Sequence, residues 1–288
     1  MAPSSPNLTE ELSTLRGQRP PKVALHLTCR GCAAVFLIPA DGTSLHCPYC
    51  QTVNVIDAEN TVRRMAPDRI LLATIDDAQA ADALRRWSEK HRVDASPARL
   101  EGVYLPFWTF EITGEIIAPQ VRKDPRQPGS DISADILRVS YALKPRPAVA
   151  EYLRDLGRVQ PLIDRLPLSR SVCLPATHRL PGLLTKVARA SATPSAVAFE
   201  PVRLNGWPAE TYQVSAGEAA AGGRGEAVKW AQRDFGTWFR GRGSYDTSGL
   251  MIQDFDLLLI PLWVGEVPRG PNRHAACVHA VTGEVLTD

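Results

Sequence analysis

The paired motifs Cys29-Arg30-Gly31-Cys32 and Cys47-Pro48-Tyr49-Cys50, fourteen residues apart, decide how the first part of this chain folds. Each C-x-x-C closes a tight knuckle that turns two sulfurs to one side of the backbone, about 2.3 Å from a shared ion. The segment between them must then fold back on itself. Ala33 to Pro39 reads as a strand, Asp41-Gly42 as a hairpin turn and Thr43 to His46 as the return, with Val53 to Ile56 as a third strand. Residues 21–60 are therefore expected to form a rubredoxin-like zinc ribbon around one structural Zn2+ held by Cys29, Cys32, Cys47 and Cys50. Four thiolates leave no position open for substrate or water, so a supporting role is expected, with unfolding on metal loss. Iron suits the same tetrahedral thiolate shell. It is the lesser reading, because the second knuckle is followed by Gln51 where a left-handed glycine is usual in such sites.

Working outward, the chain of 288 residues is long enough for this small module and a substantial globular domain. The 24 prolines fall between apolar runs, which argues for many short elements and against a long-helix bundle. Met1 to Leu8 has neither a basic nor an apolar leader region, and residues 1–20 read as a flexible tail. The longest apolar stretch, Leu257 to Val264, has the length of a strand and is too short for a membrane span. With the cysteines paired for metal rather than for a disulfide framework, a cytoplasmic location is expected.

Beyond the ribbon one pattern occurs twice. Arg69 to Ile75 reads as a strand ending in the capping pair Asp76-Asp77. A helix follows from Ala78 to His91, with Ala80, Leu84 and Trp87 on one face, and then a strand, Gly102-Val103-Tyr104-Leu105-Pro106-Phe107-Trp108. Later, Thr211 to Val214 leads into a capping box at Ser215 and Glu218. A helix to Arg240 carries Val228, Ala231, Phe235 and Trp238, and a strand follows through Leu258-Leu259-Ile260-Pro261-Leu262-Trp263. The fold class expected is α+β: the ribbon, then a domain with a degenerate two-copy strand-helix-strand repeat over 61–120 and 199–288. Each proline should sit at a strand edge or start, since it cannot donate to a ladder. Trp108 and Trp263 are expected in the core.

Between the copies, 121–198 reads as a basic helix-loop insertion with a short helix from Ala148 to Leu156. Val121 to Ala190 holds thirteen basic against six acidic residues, the one stretch suited to a polyanion. Arg122, Lys123, Arg126, Arg154 and Arg158 are its candidate contacts. The bland alternative is ordinary solvated charge. The ribbon itself is a poor nucleic-acid reader, with only Lys22 and Arg30 set against Asp41.

Motifs for catalysis are absent from the sequence. There is no G-x-x-x-x-G-K-[ST], H-E-x-x-H or G-x-S-x-G, and Gly222-Gly223-Arg224-Gly225 lies within a helical pattern. His274, Cys277 and His279 are the best remaining cluster for a second metal or a Cys/His dyad, ahead of Cys173 and His178. A partly buried strand with an inert thiol is the competing picture.

With these pieces in place, the chain resembles a bacterial and archaeal group of zinc-ribbon proteins often labelled primosomal protein N′-like or TFIIB-type zinc ribbon proteins. The resemblance spans roughly 22–287. It is carried by the cysteine pairs, the Asp76 to Trp87 helix, Arg99-Leu-Glu-Gly-Val-Tyr-Leu-Pro-Phe-Trp108, Gly206-Trp-Pro-Ala-Glu-Thr-Tyr-Gln-Val-Ser215 and Thr282-Gly-Glu-Val285. The chain departs from the group at Gln51 and in the hairpin His279-Ala-Val-Thr-Gly283. Some relatives look like scaffold partners of membrane-associated SPFH-type proteins. The expected function is a non-enzymatic zinc-binding adaptor or scaffold working through a protein partner. The second reading is a nucleic-acid-binding accessory factor that uses 121–190.

Overall fold

The computed structural model describes residues 8–18, 22–38, 43–47, 49–57, 59–93, 100–119, 163–191, 195–240, 244–269 and 272–287. Over these residues the chain is mixed α+β, with five helices and a large sheet of eleven strands. The first elements are α1 (Leu8–Gln18), β1 (Val23–Thr28), β2 (Val35–Leu37), β3 (Ser44–His46), β4 (Val53–Val55), β5 (Thr61–Met65) and β6 (Arg69–Ile70). Next come α2 (Asp77–His91), β7 (Glu101–Pro119), β8 (Ile163–Pro175), α3 (Pro181–Ala190), β9 (Val197–Ala198) and β10 (Ala209–Glu210). The chain continues through α4 (Ala216–Asp234), α5 (Gly236–Phe239), β11 (Met251–Arg269), β12 (Asn272–His279) and β13 (Val285–Thr287). The described residues fall into two compact units, a larger one from 6–111, 171–224 and 252–288 and a smaller one from 112–170 and 225–251.

In the larger unit the apolar run around Leu258 is buried on both faces, which is why it reads as continuous rather than alternating. Leu258, Ile260 and Leu262 pack with Leu183, Leu184 and Val187 of α3. The opposite parity, Trp263 and Val267, packs with Ala80, Ala83 and Leu84 of α2. The helix α2 starts at the residues expected of it. Asp76 accepts from the Gln79 N–H at 2.8 Å and Gln79 accepts from the Asp76 N–H at 3.0 Å, a complete capping box.

The two strand-helix-strand passages exchange their short strands. β6 pairs parallel with β11 (Leu259 opposite Ile70), and β10 pairs parallel with β7 (Tyr104 opposite Ala209). A matched set of hydrogen bonds accompanies the exchange. The Trp263 indole donates to Ile75 O at 2.9 Å, and the Trp108 indole donates to Val214 O at 2.8 Å. Each acceptor immediately precedes the capping residue of a helix, Asp76 or Ser215. The N–H groups of Thr74 and Ile75 both donate to Ala280 O, as those of Gln213 and Val214 both donate to Ala176 O. Ala280 in turn donates to Pro261 O, and Ala176 to Pro106 O.

These contacts correct the expectation for the prolines. Pro106 and Pro261 lie in the middle of 19-residue strands, not at an edge or a start. Along one flank of β7 the partner changes from β10, bonded at Tyr104, to the end of β8, bonded at Pro106. Along one flank of β11 it changes from β6, bonded at Leu259, to the end of β12, bonded at Pro261. A proline without an N–H is tolerated there because one ladder has stopped and the next begins.

Several boundaries move. Residues 8–18, expected as tail, form the helix α1. Its Glu11 is buried against Arg224 and accepts from the Ile252 N–H, and Arg16 lies 3.4 Å from Asp68. Residues 163–190, expected within a basic insertion, form the strand β8 of the main sheet and the core helix α3. The helix expected to run to Arg240 breaks at Phe235, which is exposed, ahead of Gly236. The expected helix over 148–156 and the turn at Asp41-Gly42 lie outside the described residues.

The smaller unit is held by local devices. Gly114, at φ +140°, places its Cα so that a Cβ would stand 2.0 Å from Gly249 O, a position only glycine can take. Ile117 and Asp246 exchange backbone hydrogen bonds of 2.9 and 2.7 Å. Trp230 is flanked by Arg170 and Arg233, whose guanidinium carbons lie 5.3 and 4.4 Å from its ring centre.

Candidate metal centre

Cys29, Cys32, Cys47 and Cys50 converge, with all four sulfurs within 4.8 Å of one another. The closest cross-knuckle pairs, Cys29 with Cys50 and Cys32 with Cys47, are 3.6 and 3.5 Å apart. A tetrahedral ion with sulfur ligands at about 2.3 Å requires sulfur separations of about 3.8 Å. The donor set therefore fits one structural metal ion, and among the described residues no other such group is found.

The two knuckles repeat the same local geometry. Ala33 N donates to Cys29 O and Gln51 N to Cys47 O, both at 2.9 Å. Cys29 N donates to Ala34 O at 2.8 Å and Cys47 N to Thr52 O at 3.0 Å. Closing each knuckle requires a left-handed residue after the second cysteine, and Ala33 (φ 60°) and Gln51 (φ 61°) adopt it without glycine. The left-handed turn is thus present at Gln51 despite the departure seen in the sequence. A Cβ costs about 1 kcal/mol in that conformation. Ala33→Gly is accordingly expected to raise the stability of the metal-loaded protein by roughly that amount, read as a shifted midpoint in chemical denaturation. Gln51→Gly should yield less, because Gln51 donates to the Glu101 carboxylate at 2.7 Å.

The sulfurs have a supporting shell that the cysteine spacing did not disclose. Asn54 is fully buried, and its Nδ2 donates to Cys29 Sγ at 3.4 Å and to Thr52 O at 2.9 Å. Its Oδ1 accepts from the Arg30 N–H at 2.8 Å, and the Gly31 N–H reaches Cys29 Sγ at 3.4 Å. Thr52 Oγ1, 3.2 Å from Cys50 Sγ, is the main reason that this thiol is held down to about 6. Burial instead pushes the metal-free Cys47 thiol up to about 12. The one signal for Asn54 in the sequence is a polar residue between two valines of a short strand. Val53 and Val55 face outward there and Asn54 inward.

The strand pairing differs from the expected hairpin across Asp41-Gly42. β2 pairs with β1, and β3 pairs with β4, so that each knuckle is the tip of its own hairpin. Nor is the ribbon a separate module. β2 also pairs with β10, and its alternation sends Phe36 into the ribbon core and Leu37 into the core of the domain. Knuckle residue Tyr49, itself partly exposed, adds a polar latch to the buried carboxylate of Glu210. Its hydroxyl donates to Glu210 Oε2 at 2.8 Å, while Gln213 donates to Oε1 at 3.2 Å. Arg179 lies 3.2 Å from Glu210 Oε1, with its guanidinium 4.0 Å above the Tyr49 ring. Burial raises the Glu210 carboxyl, and Tyr49 and Arg179 pull it back. Burial and then the Glu210 charge raise the Tyr49 phenol. Glu210 lies in the stretch Gly206 to Ser215 that carries the resemblance, but nothing there marks it as a partner of Tyr49, and Arg179 carries no motif.

Those of the remaining candidates that lie among the described residues do not assemble into a site. Arg122, Lys123, Arg126, Arg154 and Arg158 lie outside the described residues. In the described part of the basic stretch, Arg165 pairs with Glu115, Arg170 with Asp234 and Arg179 with Glu210. His279 Nδ1 accepts from the N–H groups of Val281 at 3.2 Å and Thr282 at 3.4 Å. Its Nε2 must then carry the proton, and it lies 2.9 Å from Ser191 Oγ. Both ring nitrogens are committed, Nδ1 to the turn and Nε2 to Ser191 at the end of α3, and burial keeps the ring's pKa low. Cys277 packs among Leu183, Val187 and Leu262 in the core. His274 has the opposite strand parity and so the opposite face of β12. Burial pushes the Cys173 thiol up to about 12.

In comparisons with protein-family models, curated proteins and solved structures, nothing matches the chain. Among the described residues no helix is long and apolar enough to cross a membrane.

Proposed function

We propose that this chain is a non-enzymatic, zinc-stapled adaptor or scaffold protein of the ribbon group that its residues resemble, acting in the cytoplasm through protein contacts. The observation that carries this reading is the closed shell of four thiolates in a ribbon that is hydrogen-bonded into the domain sheet. A metal so enclosed supports structure and offers no position for chemistry. Behind the ribbon stands a two-copy domain. Its duplication is supported by the paired tryptophan, alanine and proline hydrogen bonds and by the reciprocal exchange of β6 and β10. The membrane-associated partner suggested by relatives remains part of the proposal, since the chain would reach a membrane through that partner.

The polyanion reading is weighed down by the ion pairs that occupy Arg165, Arg170 and Arg179. Elemental analysis of protein purified without added metal, combined with a salt-titrated DNA-binding assay, tests the choice. One zinc per chain with only weak, non-specific DNA binding is the expected result. Stoichiometric iron, or tight DNA binding with a steep salt slope that flattens when Arg122, Lys123 and Arg126 are reversed in charge, would overturn it. Crosslinking in native cells should then capture a defined protein partner, lost when Tyr49 and Glu210 are both replaced and the second knuckle is released from the domain.

A further inference from the structure

The strongest unassigned feature is a cavity of about 490 Å³ in the larger unit, at the start of α2. Its volume lies in the range of small-molecule sites. Three aromatic rings, Tyr104, Trp207 and Trp263, contribute to its lining. Trp207 is held firmly. It meets Trp263 edge-on at 4.6 Å between centroids and Tyr104 at 5.6 Å, and its ring lies where a Cβ on Gly102 would come within 2.7 Å. Two carboxylates, Asp76 and Asp77, are exposed and line the same cavity.

The charge of a fitting ligand follows from where the polar groups are committed. A helix N-terminus ordinarily attracts anions through its free N–H groups. Here Asp76 accepts from the Gln79 N–H at 2.8 Å and Asp77 from the Ala78 N–H at 2.9 Å, so carboxylates already hold the positions an anion would take. Neither aspartate forms an ion pair among the described residues. The basic group in the lining, Arg203, is paired with Glu200 at 3.3 Å. What remains is an aromatic wall beside two exposed carboxylates that form no ion pair among the described residues, the combination that recognises organic cations.

A comparison of the two copies adds a second argument, which rests on the duplication proposed above. By the matched hydrogen bonds, Ala73 stands where Tyr212 stands in the other copy. There the Tyr212 ring packs against Trp108 at 5.8 Å, and Trp108 is almost fully buried. At Ala73 the ring is missing, and Trp263 faces the cavity instead.

We propose that this cavity binds an organic cation, an alkylammonium or guanidinium group, with Trp207 and Trp263 as its aromatic wall and Asp76 and Asp77 as its counter-charge. The cation could belong to a free metabolite or to a lysine or arginine side chain of a partner. Titration calorimetry of the full chain with four probes separates the cases: choline, its neutral isostere 3,3-dimethyl-1-butanol, Nα-acetyl-lysine amide and Nα-acetyl-arginine amide. At least one cationic probe is expected to bind at least tenfold more tightly than the neutral isostere, a difference of about 1.4 kcal/mol. Preference for choline assigns a free quaternary ammonium, and preference for an amino-acid amide assigns a side chain. Asp76→Asn with Asp77→Asn keeps the helix cap, since asparagine caps as aspartate does, yet should weaken binding by tenfold or more. Ala73→Tyr should abolish it while leaving the melting temperature nearly unchanged.

The proposal is overturned if the isostere binds as tightly as the cations or if the double asparagine variant keeps full affinity. Absence of saturable binding of every probe below about 10 mM overturns it equally. Binding that is charge-dependent but unaffected by Ala73→Tyr would uphold the cation site and discard the equivalence of the two copies.

Discussion

Removing the metal, by chelation or by Cys47→Ser, is expected to unfold β3 and β4 completely while β2 keeps much of its protection. The ribbon core is small. Leu27, Ala34, Phe36 and Leu45 are its buried apolar members besides Cys29 and Cys47. So few apolar groups cannot offset the conformational entropy of the ribbon's described residues, some thirty of them, at roughly 1–2 kcal/mol each for the backbone. The loss should be uneven because the anchoring is uneven. β3 and β4 form a sheet of two strands, with Val53 and Val55 exposed. An isolated two-stranded sheet is marginal in water. β2, by contrast, is paired on both sides, with β1 and with β10. Hydrogen exchange followed by mass spectrometry reads the difference directly. Full exchange over 44–55 with retained protection at 35–37 is the expected pattern, and retained protection at 44–55 after metal loss would refute a structural metal.

Glu210→Ala is expected to be strongly destabilising, at about 3 kcal/mol. The side chain of Glu210 has no exposure, and it satisfies Tyr49, Gln213 and Arg179 at once. Truncation leaves a phenol and a guanidinium stacked together without their common acceptor. Tyr49→Phe removes one neutral donor to a charged acceptor and is expected to cost only about 1.5–3 kcal/mol. In a double-mutant cycle the two changes should be strongly non-additive, because they break the same latch. Thermal unfolding of the four metal-loaded proteins measures this. Additive effects would mean that Tyr49 and Glu210 do not act together in holding the ribbon to the domain.

The local features of this protein were legible because local rules govern them. Cysteine spacing located the four sulfurs that converge, and the polar pair Asp76-Asp77 with Gln79 located the start of α2. The period of Ala80, Leu84 and Trp87 identified the face that packs on Trp263 and Val278. Pro106 and Pro261 were correctly singled out as positions that cannot donate. Their true place, where one partner strand gives way to another, depends on strands that arrive from remote parts of the chain.

The four cysteines by themselves therefore determined which sulfurs converge into a donor set that fits a metal ion, since a knuckle is built within five residues. Only the tertiary structure decided what the site supports. β2 bonds to β10 across some 170 residues of chain, and Tyr49 meets Glu210 across 161. The residue before each helix cap is tied to a tryptophan from the other strand-helix-strand passage, Trp263 to Ile75 across 188 residues and Trp108 to Val214 across 106. The parallel pairs β6–β11 and β7–β10 form only through long crossovers, the antiparallel β2–β10 pair is equally remote in sequence, and no periodicity along the chain records which strand will lie beside which. The cavity beside Asp76 arises in the same way, from a small residue at Ala73 and from Trp207 and Trp263, which meet only once the sheet has closed.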